Sequence, residues 1–94
     1  MTTVLSDVSA LNEKVKLCHQ DLDDLLQNLQ NFETNYQMPS QEFFNKFRSG
    51  SLSHDTDYFE WYAYLELSKK IIERIRELEK ELGGLLEREI LATA

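Results

Sequence analysis

An all-α fold, an antiparallel hairpin of two long helices joined by a short one, is what this sequence predicts, and three observations carry the prediction. The three glycines and the single proline all lie at or after position 39, so the first 38 residues contain no strong helix breaker. Within that stretch Val4, Val8, Leu11, Val15, Cys18, Leu22, Leu25, Leu29, Phe32 and Tyr36 follow one another at alternating steps of four and three. A period of about 3.5 residues belongs to a helix packed along its whole length at a left-handed crossing. A second stretch without Gly or Pro, from Tyr58 to Leu82, repeats the pattern.

The first helix is expected over about 4–37, roughly 50 Å at about 1.5 Å per residue. Met38-Pro39-Ser40 stops it, because proline lacks an amide proton and disfavours helical geometry at the residue before it. A short helix over 40–48 follows, its Phe43, Phe44 and Phe47 on one side, and Gly50 suits a left-handed stop. Ser49 to Thr56 reads as a polar loop whose one apolar residue is Leu52, with Asp55 or Asp57 available to cap the next helix. That helix is expected over 57–82, with Tyr58, Trp61, Leu65, Ile72, Ile75 and Leu82 in heptad register and Ser68 and Glu79 as polar members. Tyr64, Leu67, Ile71 and Leu78 form a second apolar line, which predicts more than one neighbour. Gly83-Gly84 is expected to end the helix, and Leu85, Leu86, Ile90 and Leu91 to face a short further helix over 85–91.

One domain of 94 residues is implied, and 41% hydrophobic with 29% charged residues excludes a wholly disordered chain. No apolar run approaches the roughly 18 residues of a membrane span. The first residues carry neither a basic flank nor a continuous apolar region, so a cytoplasmic address is expected; the lone Cys18 fits a reducing compartment. A net charge of −7 disfavours non-specific attraction to nucleic acid. The charge is uneven: residues 1–38 carry −4, residues 39–57 carry −1 and residues 58–94 carry −2, with Asp21, Asp23 and Asp24 concentrating the surplus. A basic partner is its complement.

A hairpin alone is thin cover for two apolar stripes, so a homodimer forming a four-helix-type bundle, or a complex with another protein, is expected. Its core would be Val8, Leu11, Val15, Cys18, Leu22, Leu25, Leu29 and Phe32. Little chemistry is visible. Adjacent helical residues point about 100° apart, so Cys18 and His19 do not share a metal, and Cys18 reads as core and His19 as solvated. His54, Asp55 and Asp57 read as capping-loop residues more readily than as metal ligands. No cofactor is expected, since phosphate loops, zinc spacings and nucleophile elbows are all missing.

Arg48 and His54, with five residues between them, resemble the Arg-x4-6-His signature of the HEPN ribonucleases, themselves helical dimers. In that family the signature sits at a helical interface; here Gly50 and its polar neighbours predict a loop, and a helix C-terminal cation is the favoured reading of Arg48. No catalysis is expected. Phe43, Phe44, Phe47, Tyr58, Phe59, Trp61, Tyr62 and Tyr64 place eight rings within 22 residues. Either they form a core knot, or some of them, chiefly Trp61, Tyr62 and Tyr64, project as anchors for a partner.

The stretch from Glu42-Phe43-Phe44-Asn45-Lys46-Phe47-Arg48 through Asp57-Tyr58-Phe59-Glu60-Trp61 resembles a block in small helical bacterial proteins of antitoxin type, the likeness extending over Glu42 to Leu67. The resemblance implies a non-enzymatic cytoplasmic protein that neutralises a cognate toxin through helical contacts, with Asp21, Asp23 and Asp24 suited to a basic toxin surface. A structural coiled-coil adaptor or dimerisation protein is the alternative, and a HEPN-like ribonuclease using Arg48 and His54 a second.

Overall fold

A computed structural model describes residues 3–93. Three helices follow one another, α1 over Thr3–Tyr36, α2 over Ser40–Arg48 and α3 over Thr56–Thr93. α1 and α3 lie side by side along most of their length and α2 folds across one end, giving the expected all-α hairpin. The result is a rod of 60 × 21 × 17 Å with a radius of gyration of 18.7 Å, against about 12 Å for a rounded domain of this length.

The two turns into and out of α2 use one device. At the end of α1 the Met38 amide reaches back to the Glu33 carbonyl at 3.2 Å, and Gln37 adopts a φ of +50°. After α2 the Ser51 amide bonds to the Lys46 carbonyl at 3.0 Å, with Gly50 at a φ of +76°. Both are left-handed stops that satisfy orphan carbonyls. Pro39 precedes α2 and offers no side-chain cap, but the Glu33 carboxylate accepts the Ser40 amide at 2.6 Å and adds negative charge at the positive helix end. Asp55 caps α3, its Oδ1 accepting the Asp57 amide at 2.9 Å.

The α1 stripe faces α3 of its own chain. Leu11, Leu25 and Leu29 are buried, and Val8, Val15, Cys18, Leu22 and Phe32 half-buried; the side chain of Val4 lies outside the described part. The residues expected to form a dimer core thus obtain much of their cover within one hairpin. From α3, Ile75 and Leu78 complete this seam. Ser68, the polar heptad member, is buried with its hydroxyl donating to the Tyr64 carbonyl at 2.7 Å, so burial leaves it satisfied.

One expected boundary is wrong. α3 does not stop at Gly83-Gly84, and 85–91 is no separate helix: α3 continues unbroken to Thr93. Neither glycine takes the positive φ that a left-handed stop requires. Leu82 and Leu85 on either side of the pair are half-buried, and Leu85 borders the same shallow groove as Leu11. Packing against α1 therefore outweighs a helix-propensity loss of about 1 kcal/mol per glycine.

Candidate functional site

At the α2 end, rings are stacked in layers. Trp61 is fully enclosed, its indole lying parallel to Phe43 at 3.9 Å between centroids on one side and stacked on Phe32 at 5.6 Å on the other. Tyr36 approaches at 5.8 Å, and the indole Nε1 donates to Ser40 Oγ at 3.0 Å, which satisfies the one polar atom that burial would otherwise penalise. Trp61 is thus a core residue, a correction to its reading as a partner anchor: the heptad line it shares with Tyr58 and Leu65 points toward α1, and α2 closes over it.

Outside this layer a second set of rings meets solvent. Tyr62 stacks on Phe47 at 4.7 Å and on Phe44 at 5.6 Å. Phe47 meets Phe59 edge-on at 5.5 Å, and His54 stacks on Phe59 at 6.3 Å. Phe59 remains 54% exposed. Two cations cover Phe44: Lys69 Nζ stands 3.9 Å and the Arg48 guanidinium 5.6 Å from the ring centroid, favourable because the ring face carries negative potential. Tyr62 and Tyr64 are both half-buried, Tyr64 resting against Phe32 at 5.9 Å. Neither phenolic hydroxyl has a hydrogen bond among the described residues. Phe59 was one of the eight rings visible in the sequence, but neither its exposure nor the cation contacts of Phe44 was expected. For Phe59 the signal was its place one residue past Tyr58, off the heptad line.

The loop residues with possible chemistry are otherwise engaged. Asp55 caps α3, and Asp57 Oδ2 accepts the Tyr36 hydroxyl at 2.7 Å. That bond, with smaller contributions from burial and the charges of Asp55 and Asp57, raises the Tyr36 phenol from 10.0 to about 12, because the carboxylate favours the protonated donor. Arg48 lies on Phe44 and His54 on Phe59; the cleft that His54 lines with Phe47, Gly50, Leu52, Ser53 and Phe59 does not include Arg48. His19, at 3.9 Å from Glu79 across the hairpin, is exposed as expected.

Midway along the rod, α1 and α3 leave a groove of about 460 Å³ lined by Asp21, Asp24, Leu25, Leu67 and Ile71. Leu25 is its buried floor, Ile71 is half-buried and Leu67 is 46% exposed. The aspartates belong to its rim, with neither carboxylate in an ion pair among the described residues. The three expected acidic residues do not converge. At about 100° per residue, Asp23 stands roughly opposite Leu25 on α1 while Asp21 and Asp24 flank the groove. The second apolar line of α3 was visible in sequence; that it would meet acids from α1 depended on the register of the hairpin, which a periodic pattern leaves open.

No family model, no curated protein and no solved structure matches this chain. Among the described residues, no helix is long and apolar enough to cross a membrane.

Proposed function

We propose that this chain is a non-enzymatic protein-binding module of antitoxin type, which neutralises a cognate toxin by laying helical surface against it. The observation that carries the reading is its surface. The chain exposes 6915 Å², where a compact folded monomer of 11.1 kDa would expose about 5,700 Å². The excess of roughly 1,200 Å² exceeds the ≈ 800 Å² that one partner contributes to a standard interface. The exposed surface includes large apolar side chains, Leu17, Leu26, Phe59 and Leu67 among them. Tyr62, whose hydroxyl has no hydrogen bond among the described residues and which has an aromatic stack behind it, is the favoured anchor, and the acidic excess of α1 suits a basic surface.

Co-purification from the native cell followed by binding kinetics tests the reading. Asp21→Asn, Asp23→Asn and Asp24→Asn together are expected to slow association and flatten its salt dependence, and Tyr62→Ala to speed dissociation, at a cost of about 2 kcal/mol. Recovery of no protein partner would discard the reading in favour of the structural adaptor. A homodimer is the second reading, favoured by Leu86, Ile90 and Leu91, which are 45%, 67% and 71% exposed near the end of α3. Sedimentation equilibrium decides it: a monomer at micromolar concentration removes it.

A further inference from the structure

We infer that the groove between α1 and α3 receives a basic amphipathic helix of a protein partner, which lies along the hairpin as a third strand of the bundle. The inference rests on the partner-binding reading above and names the partner's recognition element. Two features of the groove select that occupant. Its floor and far wall are aliphatic, Leu25 from α1 and Leu67 and Ile71 from α3, and the trough runs between two long helices lying side by side. Side chains of a third helix at i, i+3 or i+4 spacing fit such a trough by ridge-into-groove packing. Its α1 rim is acidic on one side only. Asp21 and Asp24 are exposed, and among the described residues neither has an ion pair and no lysine or arginine lines the groove. Arg74, one turn beyond Ile71 on the same side of α3, directs its guanidinium to Glu77 at 3.4 Å.

The charge pattern also selects against a second copy of this chain. A copy carries −7 overall and −4 in its first 38 residues, so its α1 would bring further acid to an acid rim, a juxtaposition that weakens association. Lys or Arg beside the aliphatic anchors of the incoming helix would meet Asp21 and Asp24 instead, at a site where desolvation by the surrounding leucines strengthens each pairing. Leu17, 50% exposed and one helical turn before Asp21, extends the apolar contact along α1.

The test is titration of the full chain with an amidated peptide of about 18 residues, five turns, made of leucine and lysine with the leucines on one face, followed by backbone amide NMR. A second peptide of the same composition, with its leucines scattered around the helix, is the control. Tighter binding of the amphipathic peptide is expected, with the largest shifts at Asp21, Asp24, Leu25, Leu67 and Ile71. Asp21→Asn with Asp24→Asn, and separately Leu67→Ala, should each weaken it by about tenfold, whereas Asp23→Asn should leave it within about twofold. All four residues are exposed, so helical circular dichroism should be unchanged. Equal loss with Asp23→Asn, equal affinity for the scattered peptide, or shifts centred on Phe44 and Phe59 would overturn the inference. So would groove resonances that move on dilution of the chain alone, the signature of a second copy. A native partner that binds but ignores Asp21, Asp24 and Leu67 removes the groove and keeps the partner-binding reading; absence of any protein partner removes that reading itself.

Discussion

The two ends of the rod are held in different ways. At the α2 end three helices meet, and the third makes a layered structure possible: Phe43 from α2, Trp61 from α3 and Phe32 from α1 stack in sequence, with Ser40 receiving the indole proton. At the other end only two helices run together, Leu11 is the one buried residue that α1 contributes among the described residues, and two consecutive glycines interrupt the α3 side chains. The difference teaches that a two-helix seam shields one stripe, whereas a short crossing element converts the same seam into a closed core.

The largest expected effect breaks the closed end. Trp61→Ala should destabilise the chain by about 3–5 kcal/mol, the range for removing a buried aromatic ring, whereas Leu85→Ala at the open end should cost less than half as much. Urea unfolding measures both, and similar values would erase the distinction between the ends. Next in size, Gly83→Ala combined with Gly84→Ala should stabilise by about 2 kcal/mol, since a Cβ at either position meets nothing within 4 Å. Hydrogen exchange should slow from Leu82 onward; destabilisation would mean that the pair is needed for close packing.

The two turns sharpen the comparison within the closed end. Gln37→Gly relieves a side chain held at φ +50° and Gly50→Ala introduces one at φ +76°, so thermal denaturation should shift upward in the first variant and downward in the second, by up to about 1 kcal/mol each. The smallest effect is titration of Tyr36. Its phenol is raised from 10.0 to about 12 in the folded chain, so the protonated form is the one folding favours. Its contribution is complete below pH 10 and is lost as pH rises toward 12, where the unfolded chain has already released the proton. Tyr36→Phe should remove that step from a stability profile across this window; an unchanged step would assign it to another group.

How much of this was legible in the sequence varies with the kind of information each feature needs. The α1 stripe and α2 could be read directly, because periodicity and a proline are local signals. The continuation of α3 through Gly83 and Gly84 could not, since it depends on Leu82 and Leu85 reaching the start of α1. Trp61 was ambiguous for a related reason: its ring type suits cores and interfaces alike, and only the path of α2 encloses it. The groove required the register that sets Asp21 and Asp24 beside Leu67 and Ile71. Asp23 shares their composition but not their side of the helix.

The enclosure of Trp61 also determines what an optical probe of this molecule reports. It is the sole tryptophan, and its indole is sealed among rings at one end of a rod 60 Å long, so its emission is a local gauge of the α2 cap. Far-ultraviolet ellipticity, by contrast, sums peptide units along both long helices. Loosening near Gly83 and Gly84 subtracts from the ellipticity while the indole stays dry. During heating, the ellipticity should therefore begin to fall before the emission shifts to the red, and the gap between the two curves measures how independently the ends of the rod come apart.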